Sequence, residues 1–141
     1  MLLVVDASVA LKWFLNSGAH AESDTEQALE ILRQLQRGAI RLVQPPHFFA
    51  EMAAVLARLK PKECQEDFRN LQAISLEICD HPGLYRSALH LSVSAGQHLF
   101  DTLYHAVAFV TPAASLVTAD SRYFKNAVSR GKISLLSELV L

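Results

Sequence analysis

The sequence predicts an α/β fold in which helices cover both faces of a mostly parallel sheet, and three observations predict it. Five short strand-like runs alternate with longer segments of helical periodicity, as in successive βα units. The first run, Leu2–Val5, is apolar throughout, which is typical of a strand buried on both faces. The chain has 141 residues, enough for a sizeable core, and we expect a single domain over residues 1–141.

The individual elements follow from apolar periodicity and from residues that begin or end helices. The predicted strands are Leu2–Val5, Ile40–Val43, Ser75–Cys79, Ser115–Thr118 and Lys132–Leu136. The predicted helices are Val9–Leu15, one opened by a capping box at Ser23–Glu26, one begun by Pro45 and Pro46, residues 61–72, Pro82–Ala95, Asp101–Val110 and Ser121–Arg130. The residues placed to end helices are Gly38, Gly96 and Gly131.

Composition and charge narrow the class of protein. Hydrophobic residues make up 51% and charged residues 19%, which excludes a disordered chain. The net charge is −1, so any attraction to nucleic acid must be local. The start of the chain lacks a basic region, and Pro112 and His105 interrupt the charge-free run 102–119, so we expect no signal peptide and no membrane span. Cys64 and Cys79 have neither metal-ligand nor redox spacing, and we expect reduced core cysteines in a cytoplasmic protein.

Four acidic residues stand apart from the other charges, and we call them the acidic tetrad: Asp6, Glu51, Asp101 and Asp120. Histidines aside, the one charged residue within four positions of any of them is Arg122, close to Asp120. An ionised carboxylate in apolar surroundings is costly unless a positive charge compensates it. The tetrad therefore calls for a distant base that folds onto it or for a shared metal ion.

Each member of the tetrad also has an ordinary explanation. Asp6 and Asp120 each follow a predicted strand, where an aspartate can cap the next helix for about 1 kcal/mol. Asp101 can likewise cap a helix, and Glu51 can pair with an arginine. A shared site explains all four together, because parallel strands bring their carboxyl ends to one edge of the sheet. Glu51 also lies on the apolar stripe of its predicted helix, the wrong face for a solubilising glutamate.

The ligand chemistry of the tetrad indicates a hard divalent cation. Carboxylate oxygens without Cys or His favour Mg²⁺, with Mn²⁺ as an alternative. Such ions bind phosphate oxygens, so the implied reaction is metal-assisted attack on a phosphodiester. Ser8 and Thr118 are candidates to support the carboxylates. His105, one turn after Asp101, is a candidate acid or base, although a lone helical histidine is more often a packed residue.

Four segments resemble, in order, the successive motifs of PIN-domain ribonucleases, and most of all those of the VapC-like toxins of bacterial toxin–antitoxin pairs. They are Val-Val-Asp-Ala-Ser-Val-Ala, Pro-Pro-His-Phe-Phe-Ala-Glu-Met, Phe-Asp-Thr-Leu-Tyr-His-Ala-Val-Ala and Leu-Val-Thr-Ala-Asp. The resemblance runs from Leu3 to about Phe124. One acid-containing motif is a weak signal, whereas four in family order are specific.

The resemblance implies a fold, a reaction and partners. It implies a three-layer α/β/α domain with strand order 3-2-1-4-5 and a Mg²⁺-dependent endoribonuclease that cleaves single-stranded RNA. It also implies a homodimer that a small cognate antitoxin inhibits. The family's catalytic acids fall on the acidic tetrad, with Asp6, Asp101 and Asp120 as metal ligands and the small polar residues on Ser8 and Thr118.

RNA requires positive charge near the site. The candidates for phosphate contacts are Lys12, Arg122, Lys125, Arg130 and Lys132, although an ordinary solvated face explains them equally well. Two functions other than a ribonuclease stay open. One is a catalytically silent PIN fold that binds RNA or a partner, and the complete tetrad argues against it. The other is a phosphatase or receiver; the phosphatase would need a second acid where Ser8 stands, and the receiver would need paired early acids and a late strand-end lysine.

Overall fold

The computed structural model describes residues 1–15 and 23–141. The strands are β1 Leu2–Val5, β2 Arg41–Gln44, β3 Glu77–Ile78, β4 Ala114–Thr118 and β5 Ile133–Leu135. The α-helices are α1 Ala7–Ala10, α2 Thr25–Gln36, α3 Phe48–Leu59, α4 Cys64–Gln72, α5 Leu84–Ala95, α6 Leu99–Val110 and α7 Ser121–Ala127. Short 3₁₀ turns span Leu11–Trp13, Val128–Arg130 and Leu136–Glu138.

The five strands form one parallel sheet in the order β3-β2-β1-β4-β5. This confirms the predicted α/β class and the strand order 3-2-1-4-5. The central strand β1 pairs with β4 at four positions, from Leu2 with Ala114 to Val5 with Val117. Residues 3–5 of β1 are buried, as its apolar sequence predicts, because helices cover both faces of a parallel sheet.

The core joins the sheet to the long helices α3, α5 and α6. Helix α6 contacts β1, β2 and β4 and packs extensively against α5. Seven consecutive residues of α6, from Thr102 to Ala108, are buried, so this helix has no solvated face over two turns. The charge-free run 102–119 contains most of α6. Because this helix is buried on all sides, a charged side chain in it would have no access to water.

Several predicted boundaries are wrong by a few residues. The helix predicted over Val9–Leu15 is the four-residue α1 followed by a 3₁₀ turn. The capping box predicted at Ser23–Glu26 does not form, because Asp24 precedes α2 with φ 59° and its side chain makes no cap bond. Strand β3 has two residues instead of five, since it pairs with β2 only at Glu77 and Ile78.

The helix-ending role of two glycines is confirmed. Gly38 and Gly96 have φ values of 78° and 65°, a left-handed conformation that L side chains rarely adopt, and they follow α2 and α5. The expectation of two core cysteines is half wrong: Cys79 is buried, but Cys64 is partly exposed at the start of α4. Over residues 1–15 and 23–141, the helices are all too short or too polar to cross a membrane.

Candidate active site

The strand pairing brings two acids of the tetrad to the same edge of the sheet. Asp6 directly follows β1, and Asp120 follows β4 after one intervening residue. The two strands are neighbours, and the backbone N–H of Asp6 extends their ladder by donating to the carbonyl oxygen of Val117 at 3.0 Å. Both carboxylates therefore lie at the carboxyl edge of the parallel sheet, where such folds place their sites.

Two hydroxyl groups fix the Asp6 carboxylate. Ser8 Oγ and Thr118 Oγ1 both donate to Asp6 Oδ2, at 2.7 and 3.0 Å. Each hydroxyl also accepts a backbone N–H: Ser8 Oγ that of Ala119 and Thr118 Oγ1 that of Asp120. The hydroxyls therefore join the ends of β1 and β4 through one carboxylate oxygen. Ser8 and Thr118 are the two residues that the sequence offered as candidates to support the carboxylates.

The other two aspartates lie at helix N-termini. Asp120 caps α7, since its Oδ1 accepts the N–H of Tyr123 at 3.0 Å, so the capping explanation holds for this residue alongside any ligand role. The sequence left open that Asp101 caps α6, and this is wrong. It lies in the first turn of that helix, and the cap is His98, whose Nδ1 accepts the N–H of Phe100 at 3.1 Å.

Glu51 reaches the site from helix α3 and contacts two aromatic side chains. Its side chain is 25% exposed, which agrees with its place on the apolar stripe. Tyr104 Oη donates to Glu51 Oε1 at 3.1 Å, and Tyr104 itself is fully buried. His47 Nε2 lies 3.6 Å from Glu51 Oε2. The arginine partner that the sequence left open for Glu51 is not among the ion pairs of the described residues.

The acids of the tetrad influence one another's ionisation, which indicates that they lie near one another. Burial raises the pKa of Asp6, against the two hydroxyl hydrogen bonds, and the charges of Asp101 and Asp120 raise it further. Burial raises the pKa of Glu51 to about 7, with further contributions from Asp6 and Asp101. Burial and the charge of Asp120 raise the pKa of Asp101. Desolvation and mutual repulsion are the two causes expected for carboxylates that share a site without a cation.

The model of one protein family matches residues 3–128, which is most of the chain: the PIN domain. This chain belongs to the PIN domain family. PIN domains are generally nucleases, and they typically use divalent metal ions. The match includes all four members of the acidic tetrad and, from Leu3 onward, the strands β1 to β4. No curated protein matches the chain.

The residues of this PIN domain fit a hard divalent cation by their chemistry. Within residues 1–15 and 23–141, no three His, Cys, Asp or Glu side chains are arranged as a ready metal site. Mg²⁺ does not require one, because it keeps several waters and binds through one or two carboxylates. In the same part of the chain, the ion pairs of lysine and arginine lie away from the tetrad. The uncompensated oxygens of Asp6, Asp101 and Asp120 thus remain suitable ligands.

His105 has a structural role in this PIN domain. It is fully buried, and both ring nitrogens are engaged: Nδ1 with Tyr123 Oη at 3.0 Å and Nε2 with the carbonyl oxygen of Gly131 at 2.8 Å. Its ring stacks on Phe109 with a centroid distance of 4.6 Å. The packed-residue interpretation of His105 is therefore the one that agrees with the geometry.

The candidate phosphate contacts differ in exposure. Arg122 and Lys125 are exposed on α7, directly after Asp120. Arg130 is exposed but donates to Ser94, and Lys132 donates to the carbonyl oxygen of Thr111. Lys12 is only 6% exposed, so it does not present its charge on the surface.

Sequence reasoning missed three side chains that shape the site: Gln44, His47 and Tyr104. Gln44 is fully buried, and its amide group accepts the N–H of Val5 at 2.9 Å and donates to the carbonyl oxygen of Val5 at 2.8 Å. It completes the hydrogen bonding of β1 one residue before Asp6, where the backbone pairing of β1 with β2 has already ended. The one signal in the sequence was a polar residue directly after the predicted strand Ile40–Val43.

Proposed function

We propose that this chain is a Mg²⁺-dependent endoribonuclease that hydrolyses phosphodiester bonds in single-stranded RNA. One observation carries the proposal: the four carboxylates come from four separate segments and have no lysine or arginine partner in the described residues, and burial raises the pKa of three of them, Asp6, Glu51 and Asp101. Buried carboxylates that repel one another cost stability unless a cation compensates them. Membership of a family of nucleases agrees with it.

The residues of the chain have separate tasks in this proposal. Asp6, Asp101 and Asp120 would hold the cation, which when bound would supply positive charge to the phosphate and lower the pKa of an attacking water. Ser8 and Thr118 keep the Asp6 carboxylate in one orientation through their hydroxyl groups.

The fourth acid, Glu51, has a different task. Burial raises its pKa to about 7 in the metal-free protein. A bound cation would lower this pKa, so Glu51 would serve as the carboxylate that accepts a proton.

The substrate is RNA whose phosphates contact exposed basic residues beside the tetrad. Arg122 and Lys125 follow Asp120 on α7 and are exposed, so they can bind phosphates that flank the scissile bond. Lys12 is left out of this surface because it is buried. Because the net charge of the whole chain is −1, RNA binding relies on these local contacts. We therefore expect RNA binding to weaken as the salt concentration rises.

The biological setting of the proposal comes from the resemblance to VapC-like toxins. It comprises a cytoplasmic toxin, a small cognate antitoxin and a homodimer. One feature of the structure supports the dimer: Tyr85, Leu89 and Val93 are 55%, 55% and 85% exposed at intervals of four residues along α5. An apolar stripe of this kind on a surface helix is typical of a protein–protein contact.

The test is cleavage of a mixed single-stranded RNA by the purified chain with Mg²⁺ or Mn²⁺ and with EDTA. We expect cleavage only with the cation, and products with 5′-phosphate ends, because water is the nucleophile. Asp101→Asn should reduce cleavage at least 100-fold and weaken Mg²⁺ binding in calorimetry, whereas Asp80→Asn, in an exposed loop, should change neither. Cyclic phosphate ends, or undiminished cleavage in EDTA, would contradict the proposal.

A further inference from the structure

Glu51 differs from Asp6 and Asp120 in how its carboxylate is held. Asp6 and Asp120 leave the ends of strands on short side chains, and their oxygens accept hydrogen bonds from neighbouring residues. Glu51 extends from a helix on a side chain with one more methylene group. Fixing a glutamate side chain in one rotamer costs conformational entropy, so a defined position for its carboxylate requires external contacts.

Two aromatic side chains make those contacts, one with each oxygen. Tyr104 Oη donates to Oε1 at 3.1 Å, and His47 Nε2 lies 3.6 Å from Oε2. The two rings also contact each other, with centroids 4.9 Å apart and planes inclined at 58°. Tyr104 is fully buried, and the side chain of His47 is 16% exposed. The carboxylate therefore has a contact on either side, and packing holds both contacting groups in place.

His47 also joins Glu51 to the helix that carries Asp101. Its Nε2 lies 2.9 Å from the carbonyl oxygen of Phe100, the residue before Asp101, so the neutral ring carries its proton on Nε2 and donates to that oxygen. Its ring contacts Phe100 at a centroid distance of 5.3 Å. Because that N–H is donated to Phe100, His47 makes no hydrogen bond to Glu51 and restricts the carboxylate by packing against Oε2 at 3.6 Å. Burial lowers the pKa of His47, so its neutral ring does not compensate the charge of Glu51.

We propose that Tyr104 and His47 are positioning residues that hold the Glu51 carboxylate at a fixed place relative to Asp101. We call this pair the aromatic clamp. Its role in the reaction rests on the proposed ribonuclease function, but the orientation of Glu51 does not depend on that function. The clamp joins α3 to the first turn of α6, so it sets the relative position of two acids that come from different helices.

The experiment compares Tyr104→Phe with a matched control, Tyr123→Phe. Both variants remove one phenolic O–H from a buried tyrosine and leave the ring. The hydroxyl of Tyr123 bonds to His105 and to no carboxylate among the described residues, although burial and the nearby charges of Asp101, Asp6 and Asp120 raise its pKa. Tyr123→Phe therefore controls for the loss of a buried hydroxyl near the same acids that does not contact Glu51. The readouts are kcat and KM on one RNA, urea unfolding, and the NMR three-bond couplings that report the side-chain rotamer of Glu51 in EDTA.

In Tyr104→Phe, we expect kcat to fall about tenfold or more with KM within about twofold, because a misplaced group lowers the rate without weakening binding. The Glu51 couplings should become averaged over rotamers. Tyr123→Phe should lose a similar amount of stability while keeping the wild-type kcat and a single Glu51 rotamer. His47→Phe, which keeps a ring between Phe100 and Tyr104, should lower kcat in the same way.

Each result decides between the alternatives. Wild-type kcat and a single Glu51 rotamer in Tyr104→Phe would overturn the clamp, and so would an equal fall of kcat in Tyr123→Phe. If the wild-type chain cleaves no RNA, the proposed function fails, and the couplings alone then test the clamp: averaging only in Tyr104→Phe and His47→Phe supports it, and a single rotamer in all variants overturns it.

Discussion

Replacing Glu51 with glutamine is expected to stabilise the metal-free protein above neutral pH. Glutamine keeps the shape of the side chain and can still accept the hydrogen bond of Tyr104, but it cannot ionise. In the wild type, burial and two neighbouring aspartates raise the pKa of Glu51 from 4.5 to about 7. The folded state thus binds this proton more tightly than the unfolded state does, and folding is linked to pH.

The sign and size of the effect follow from this pKa. Because the folded value lies above the unfolded value, wild-type stability falls as the pH rises from about 4.5 to about 7 and then levels off. At about 1.4 kcal/mol per pH unit, the interval sets an upper bound of about 3 kcal/mol. The side chain keeps 25% of its exposure, and solvent screening reduces the expected gain of Glu51→Gln to about 1–2 kcal/mol.

The measurement is urea unfolding of the wild type and Glu51→Gln in EDTA, at intervals from pH 4.5 to 8.5. The difference in unfolding free energy should be small at pH 4.5 and should grow to its full value by about pH 8. Glu66→Gln, on an exposed position of α4, controls for the general effect of removing a negative charge. A difference that does not change with pH, or a variant less stable than the wild type at pH 8.5, would refute the assignment of Glu51 to a desolvated acidic cluster.

Two further predictions concern the sheet and the surface. Gln44→Leu should lower the unfolding free energy by about 2–4 kcal/mol in urea, because it leaves the buried N–H and C=O of Val5 unpaired; a loss below 1 kcal/mol would mean that water replaces the amide. Leu89→Glu should shift the mass measured by light scattering from a dimer to a monomer at tens of micromolar, whereas Gln65→Glu on α4 should not; a wild-type monomer would contradict the dimer.

The sequence alone determined the class of fold and the set of candidate acids. Apolar strands that alternate with amphipathic helices leave few arrangements, since parallel strands need helical crossovers and both faces of the sheet must be covered. The four isolated acids were visible because the residues around them are apolar, and an acid among apolar residues is costly unless it has a purpose. The resemblance to PIN-domain motifs then supplied the strand order, which periodicity by itself does not give.

The tertiary structure decided the partners of those acids. Val5 meets the side chain of Gln44 across 39 residues, Glu51 meets Tyr104 across 53, and Asp6 meets Thr118 across 112. Local propensity carries no information about such pairs, because they depend on how the helices and strands pack. For the same reason the sequence could not tell that Lys12 is buried. Burial and proximity to other charges set the pKa of an acid, and both are properties of the packed chain.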